Sequence, residues 1–313
     1  MADLSVCVGI DAGNYESKLA YSDGLGTRII ARLDGFDLRS LREEAETYFD
    51  EPVFSCVVAS NSHVRSENSG FSDVHVIAQS EAVMLGLGRD GRNIVCDLGY
   101  SSCRMYVIDA HEVIDAETVS DVCGRVIDEN FAEYIAERYS FSVSDSEVLH
   151  EARRIKQELT VNEITLWRER NIYRYELERV IHFPVKRAAR ILQRLVRVHK
   201  PEGVILTGGS VKIPEVRRVI ADVVGVTPEY RGNLVAEGAA AKARELQREN
   251  AQAKRPDTSA RLRELRTGMF ELEERLTRSQ KDRVYAMFRQ AEGINDAGII
   301  SLMDNMLHEI RST

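Results

Sequence analysis

The most specific string in this 313-residue chain is Val204-Ile-Leu-Thr-Gly-Gly-Ser-Val-Lys-Ile-Pro-Glu-Val216. Its first residues are apolar and run into a pair of glycines, which is typical of a buried strand that breaks into a tight turn. Pro214 follows shortly after, and proline is favoured in the first turn of a helix because its missing N–H is not needed there. The string therefore predicts a strand, a glycine turn and a helix in direct succession.

Two earlier stretches repeat the order of strand and glycine turn. An apolar run ends at Asp11-Ala-Gly13, and Asn93-Ile-Val-Cys96 ends at Asp97-Leu-Gly99. Glycine lets backbone N–H groups approach a phosphate closely, and a nearby carboxylate can hold Mg²⁺ through its water shell. Each Asp-x-Gly turn is common when taken alone. Together with the third turn, they predict a site for a nucleotide phosphate chain.

The residues between these turns alternate between strand-like and helix-like spacing of apolar side chains. Strands are predicted at residues 18–21, 27–33, 53–59 and 105–108, with a small hairpin formed by residues 163–166 and 173–177. Helices are predicted at residues 40–48, 76–87, 126–138, 144–159, 215–224 and 234–248. A basic helix is predicted to begin at Pro184 and to reach Val198. Strand–turn motifs that alternate with helices predict an α/β fold.

The composition becomes polar near residue 250 and then helical in pattern. Residues 251–258 are predicted to form a linker, and residues 259–313 an α-helical tail. The tail is expected to be helical because apolar residues recur at three- and four-residue spacing, first over residues 262–276 and again from Val284 onward. A break between its last two helices is predicted at residues 293–298. The chain is thus expected to contain an α/β domain, residues 1–250, and a helical appendage.

The composition argues against several classes of protein. A formal net charge of −8 is unfavourable for a general nucleic-acid binder, which needs a surplus of lysine and arginine. No apolar run approaches the roughly 20 residues that span a bilayer, and the N-terminus lacks the features of a signal peptide. The five cysteines form no C-x-x-C pair, and three lie within apolar runs, so buried free thiols are expected. These features predict a reduced, cytoplasmic protein that binds neither membrane nor nucleic acid.

Four strings, in order along the chain, resemble the nucleotide-binding domain of the DnaK-type heat-shock chaperones (the heat shock protein 70 family). They are similar, more distantly, to actin and MreB. The strings cover residues 9–14, 95–102, 204–216 and 235–240. The resemblance implies a two-lobed, actin-like ATPase fold of the ribonuclease H-like type. It also implies that ATP or ADP binds with Mg²⁺ between the lobes.

The resemblance assigns roles to individual residues. It implies metal contacts for Asp11 and Asp97, with Asp97 also acting in catalysis and Gln79 placed to orient the attacking water. Lys156 matches a helical lysine that reaches the ribose, although a solvated helix charge is an equal alternative. The residues implied to bind the nucleotide are Asp11, Gly13, Asn14, Gly99, Ser101, Ser102, Lys156, Gly208, Gly209, Ser210 and Lys212.

Departures from the family pattern concern hydrolysis. Tyr100 and Ser101 replace two glycines of the second phosphate loop, and a Cβ there hinders the approach of backbone to phosphate. Asn14 and Tyr15 replace threonines of the first loop, and Arg104 stands in place of a second catalytic aspartate. Too few residues separate the first loop from Gln79 for the subdomain that supplies the family's catalytic lysine. The resemblance therefore implies nucleotide binding with weak or absent hydrolysis.

Three functions remain open from the sequence. The leading hypothesis is a truncated chaperone-like protein whose nucleotide controls binding of a protein partner through the helical tail. That tail resembles the chaperones' lid, yet no strand-rich stretch supplies their peptide-binding sandwich. The alternatives are an actin-like filament former and a pseudo-ATPase scaffold whose pocket is filled by Tyr100. The basic helix after Pro184 is more consistent with a charge-balanced surface than with a site for an acidic partner.

Overall fold

The computed structural model describes residues 6–53, 55–60, 64, 69–139, 146–253, 258–271, 276–294, 301–303, 305 and 308. The chain divides into two compact units, Asp3–Gln247 and Arg248–Thr313. The predicted linker at residues 251–258 is in part helical, and its residues 254–257 lie outside the described residues. The boundary between the units falls within a helix that ends at Ala253.

The first unit begins with a five-stranded mixed sheet, which we call the first lobe together with its helix α1. In chain order its strands are β1 (Cys7–Asp11), β2 (Glu16–Ser22), β3 (Thr27–Asp34), β4 (Ser55–Ala59) and β5 (Asp73–Ile77). They lie in the order β3-β2-β1-β4-β5. Strands β1 to β3 form an antiparallel meander, whereas β4 and β5 run parallel to β1. Helix α1 (Leu38–Phe49) begins where the Asp37 carboxylate accepts from two backbone N–H groups.

A second five-stranded sheet forms the second lobe together with helices α3 to α6. Its strands are β6 (Asn93–Leu98), β7 (Cys103–Asp109), β8 (Glu112–Val119), β11 (Gly203–Thr207) and β12 (Glu229–Tyr230). Its helices are α3 (Gly124–Tyr139), α4 (Ser146–Leu159), α5 (Arg174–His199) and α6 (Pro214–Val224). Between α4 and α5, a separate hairpin is formed by β9 (Ile164–Trp167) and β10 (Arg170–Tyr173).

The two sheets have the same topology. The second has the order β12-β11-β6-β7-β8, with β6 to β8 antiparallel and with β11 and β12 parallel to β6. Strand β1 of the first sheet therefore corresponds to β6 of the second, and β4 corresponds to β11. As a result, Asp11 and Asp97 occupy equivalent positions at the carboxyl ends of the two central strands.

Helices α2 (Gln79–Leu87) and α7 (Leu234–Ala253) form a core that the two sheets share. Val57 of the first sheet and Val95 of the second are both buried in it. The helices cross at very short distance, because a Cβ on Gly238 would lie only 1.7 Å from the carbonyl oxygen of Ala82. Replacing this glycine would therefore push the two helices apart.

The predicted α/β class is confirmed, and several element boundaries were wrong. Residues 76–77, predicted as the start of a helix, end strand β5, so α2 begins only at Gln79. Strand β8 was not predicted, and the second arm of the small hairpin ends at Tyr173 rather than beginning there. Pro184 lies inside α5. That helix begins ten residues earlier, where the Glu176 carboxylate accepts from the N–H of Tyr173 at 2.9 Å.

The second unit consists of helices over the residues that are described. They are α8 (Thr258–Glu271) and α9 (Arg278–Ile294), with Met269, Val284 and Phe288 among the buried side chains. The predicted break at 293–298 falls mostly on residues outside the described set. In the described part of the chain, no helix is both long and apolar enough to cross a membrane.

Candidate functional site

A cleft of about 590 Å³ lies in the first unit, where turns from both lobes converge. The turns that follow β1 in the first sheet and β6 and β11 in the second line this cleft. Ligands of open α/β sheets commonly bind beyond the carboxyl ends of the strands. Most of the residues proposed from the sequence line it, namely Asp11, Gly13, Asn14, Gln79, Asp97, Gly99, Lys156, Gly208, Gly209, Ser210 and Lys212. The fold therefore brings together three turns that are far apart in the sequence.

Two proposed residues do not line the cleft. They are Ser101, whose hydroxyl accepts from the side-chain amide of Asn14 at 2.6 Å, and Ser102, whose carbonyl accepts from the N–H of Gly99 at 3.0 Å. The reason is local, because both residues complete the turn between β6 and β7.

The first carboxylate, Asp11, faces a lysine that the sequence analysis missed. Lys18 is its direct partner across β1 and β2, and the ammonium lies 3.4 Å from the Asp11 carboxylate and 3.4 Å from the Gly232 carbonyl oxygen. Burial raises the pKa of Asp11, and the charge of Lys18 acts in the opposite direction. A positive charge is therefore built into the floor of the cleft.

The second carboxylate, Asp97, is linked to its cation through an amide. Gln79 Nε2 donates to Asp97 Oδ2 at 3.2 Å, and Arg104 Nη1 donates to Gln79 Oε1 at 2.5 Å. Burial and then the charge of Asp11 raise the pKa of Asp97 to about 6, while Lys18 and Arg104 oppose the shift. The neighbouring positive charges do not offset the cost of burying the Asp97 carboxylate, so a bound cation would stabilise its ionised form.

Sequence spacing contained a signal for both cations. Lys18 follows Asp11 by seven residues, and Arg104 follows Asp97 by the same interval. In each lobe, the turn after the central strand is short enough to place that residue opposite the aspartate in register. The spacing that the two Asp-x-Gly turns share therefore indicates Lys18 and Arg104 as a matching pair.

The backbone of the two turns offers donors to an anion, although not at the glycines. The N–H of Gly13 donates to the Asp11 carbonyl at 3.0 Å, and that of Gly99 donates to the Ser102 carbonyl at 3.0 Å. Within the described part of the chain, no hydrogen bond uses the backbone N–H groups of Asn14, Tyr15, Tyr100 and Ser101. Backbone N–H groups that lack a partner in this way are suited to binding a phosphate.

The third turn packs against the second. Gly208 has φ 95°, and a Cβ there would lie 2.6 Å from Asp97 Oδ1 and 2.4 Å from the Leu98 carbonyl oxygen. Gly209, in contrast, has no atom within 4 Å of its Cβ position. The first glycine is therefore required by packing, whereas the second keeps the wall of the cleft open.

Lys156 is held inside the second lobe. Its ammonium forms an ion pair with Asp128 and donates to the Gly124 carbonyl at 3.4 Å. Its side chain is only 12% exposed, so the alternative of a solvated helix charge was wrong. It borders the cleft beside Thr160 and Val161, two lining residues that the sequence analysis did not single out.

Both carboxylates that the sequence analysis assigned to a metal, Asp11 and Asp97, line the cleft. Among the described residues, no group of three or more His, Cys, Asp or Glu side chains is arranged to hold an ion. Mg²⁺ commonly takes one or two carboxylates and completes its octahedron with phosphate oxygens and water. The residues thus fit a Mg²⁺ ion that arrives with a phosphate ligand, and they do not fit a metal held by protein atoms only.

Two arginines and a histidine on α5 are paired with acidic residues of its own lobe. Arg187 pairs with Asp121, Arg194 pairs with Glu117, and His199 lies 2.9 Å from Asp115. These contacts favour the charge-balanced surface over a site for an acidic partner.

Comparison with known proteins does not assign the chain to a family. No protein-family model matches the chain, and no curated protein matches it. The class of the site therefore has to be argued from its residues.

Proposed function

We propose that the first unit is a nucleotide-binding domain of the actin-like ATPase type, similar to the DnaK-type chaperones. It would bind ATP or ADP with Mg²⁺ and act as a nucleotide-controlled protein-interaction module with weak or absent hydrolysis. The observation that carries this proposal is that Asp11-x-Gly13 and Asp97-x-Gly99 end equivalent strands of two sheets with the same topology and face one cleft. A Gly-Gly turn closes that cleft from a third side.

Each part of the cleft suits one part of the nucleotide. The turn at residues 208–213, with Thr160 and Val161 opposite, offers a backbone and apolar wall to the adenosine. The Lys18 ammonium and the N–H groups that follow Gly13 and Gly99 supply positive charge and donors to the phosphates. Bound Mg²⁺ would neutralise phosphate charge, and Asp97, with Asp11 beside it, would hold its water shell.

Weak hydrolysis follows from the surroundings of Gln79. A side-chain amide does not accept a proton near neutral pH, so Gln79 can orient water without activating it. Its amide is also engaged on both sides, by Asp97 and by Arg104. A base at this position is worth roughly 10²–10⁴-fold in rate.

Calorimetric titration tests the proposal directly. We expect wild-type protein to bind ATP and ADP in the presence of Mg²⁺, and Asp97→Ala to weaken binding at least about tenfold. Asp115→Ala is the matched control, because that carboxylate lies on β8 and pairs with His199. Absence of both heat and thermal stabilisation at millimolar nucleotide would overturn the proposal. Phosphate release measured in parallel reports hydrolysis separately.

A second candidate, the pseudo-ATPase scaffold, is favoured by one observation. Tyr100 lies in the cleft wall, and its ring contacts that of Tyr15 from the opposite lobe with centroids 5.2 Å apart. If these rings exclude every nucleotide, the same titration gives no heat in wild type, and heat appears only when a ring is removed, as in Tyr100→Gly. The filament hypothesis stays a prediction, and sedimentation with and without ATP tests it.

A further inference from the structure

Side chains from the two lobes meet across the mouth of the cleft. Tyr15 follows β1 in the first lobe, whereas Tyr100 follows β6 and Arg153 lies on α4, both in the second lobe. The two rings are 5.2 Å apart at an angle of 31°, and the Arg153 guanidinium lies 5.0 Å from the centroid of Tyr15 and 5.1 Å from that of Tyr100. A guanidinium placed against two aromatic rings attracts both.

Hydrogen bonds close the same contact. The Tyr15 hydroxyl accepts from Gln157 Nε2 at 2.9 Å, and the Tyr100 hydroxyl accepts from Arg153 Nη2 at 2.5 Å. Beside them, the Asn14 amide crosses to the Ser101 hydroxyl. We call the group formed by Tyr15, Tyr100, Arg153 and Gln157 the cross-cleft latch.

The latch is anchored in the second lobe. Arg153 Nε donates to Asp128 Oδ2 at 3.1 Å, and the Asp128 side chain is only 1% exposed. Arg153 and Tyr100 are thus held in place by their own lobe, and Tyr15 is the member that the first lobe contributes. Movement of the first lobe away from the second would break the contacts of Tyr15 and leave the other members together.

The latch joins the two turns whose backbone an anion would use. No hydrogen bond in the described part of the chain uses the N–H groups of Asn14 and Tyr15 on one side or those of Tyr100 and Ser101 on the other. Rings in contact leave no room for a phosphate between them. A phosphate chain that passes between the two turns to reach both sets of donors must therefore part the rings.

We propose that the latch holds the cleft closed in the absence of ligand and that a nucleoside phosphate has to open it, so that ligand binding and latch closure compete. This regulation rests on the proposed function, because it concerns the same cleft. The shared core of α2 and α7 joins the sheets elsewhere, so opening the latch widens the mouth without separating the lobes. The apparent affinity is then the intrinsic affinity multiplied by the fraction of molecules that are unlatched.

Spin labels on the two lobes test the latch without nucleotide. Leu25 of the first lobe and Leu166 of the second are 100% and 62% exposed, and all five native cysteines are buried, so Leu25→Cys and Leu166→Cys can be labelled selectively. We expect one narrow distance distribution in the otherwise wild-type protein and a broader, longer one in Tyr15→Ala. Tyr48→Ala, which removes an exposed ring elsewhere in the first lobe, should leave the distribution unchanged. An unchanged distribution in Tyr15→Ala would overturn the proposal.

Titration with ADP and Mg²⁺ supplies the second arm. We expect ADP to shift the wild-type distribution toward that of Tyr15→Ala, and the variant to bind ADP about tenfold more tightly. Equal affinity in the two proteins would overturn the competition. Binding by neither protein, with the distance change in Tyr15→Ala intact, would overturn the proposed function and support the latch. Tyr15→Phe, which keeps the ring and loses the bond from Gln157, should lie between wild type and Tyr15→Ala in both measurements and guards against misfolding of the smaller variant.

Discussion

The two Asp-x-Gly turns occupy equivalent places in two sheets of the same topology, and yet their charges are balanced differently. Asp11 faces Lys18 directly at 3.4 Å. Asp97 has Arg104 in the same register position, but Gln79 stands between the guanidinium and the carboxylate. Burial raises the pKa of both carboxylates, that of Asp97 to about 6, but of the two turns only the first places a counter-ion directly against its aspartate. The difference indicates that the second turn is the one adapted to a cation from outside.

Removing the direct counter-ion should have the largest effect. Lys18→Met removes the cation that lowers the pKa of both buried carboxylates. We therefore expect a loss of about 3–5 kcal/mol in the free energy of unfolding at pH 7. Arg104→Met should lose only about 1 kcal/mol, because its bond ends on a neutral amide. Chemical denaturation of both variants measures the contrast. Equal losses would show that the two turns are balanced in the same way.

Gly208→Ala should cause the second-largest loss of stability, and it should disturb only the second turn. Alanine at φ 95° is strained, and its Cβ would press on the Asp97 carboxylate and the Leu98 carbonyl. A loss of about 2–3 kcal/mol is expected. Gly209→Ala is the matched control, because its Cβ would meet no atom within 4 Å, and its stability should stay within about 0.5 kcal/mol of wild type. Thermal unfolding of the pair checks this, and a comparable loss in both variants would contradict it.

Asparagine should act to different extents at the two carboxylates. A carboxyl whose pKa is raised by folding contributes stability below its unfolded pKa and loses that contribution as the pH rises toward its folded value. For Asp97 that window runs from 3.8 to about 6. Asp97→Asn should therefore be more stable than wild type at pH 7, by roughly 1–3 kcal/mol, and should bind nucleotide with Mg²⁺ more weakly.

Asp11→Asn should gain less than Asp97→Asn at pH 7. Burial raises the pKa of Asp11 too, so the amide removes an unfavourable charge, but it also leaves the Lys18 ammonium, whose side chain is 12% exposed, without its carboxylate. Denaturation curves recorded between pH 4 and pH 7 compare the two variants. The slope of stability against pH above pH 4 should flatten in Asp97→Asn. An equal gain in both variants would mean that the buried charges are balanced equally after all.

The fold class and the three turns could be predicted because strand ends and glycine turns are local patterns. Lys18 was missed although its spacing from Asp11 is local, whereas other contacts of the cleft are made at long range. Tyr15 and Gln157 are 142 residues apart, and nothing near either one indicates that they meet. The start of α5 was misplaced for a different reason, since Pro184 imitates a helix start while the actual cap, Glu176, is buried within an apolar face.

Gln79 should produce the smallest effect, and it tests why the second turn differs. In Gln79→Met, Asp97 loses the amide that donates to it at 3.2 Å, and Arg104 loses its acceptor. A hydrogen bond to the charged carboxylate lowers its pKa, so the pKa of Asp97 should rise further, by less than about one unit. Titration of the Asp97 side-chain carbon by NMR measures it, with Gln193→Met as the control because its amide donates to a backbone carbonyl remote from the cleft. A fall in the pKa of Asp97 would mean that Arg104, once released from the amide, pairs with the carboxylate directly, and the second turn would then have become a copy of the first.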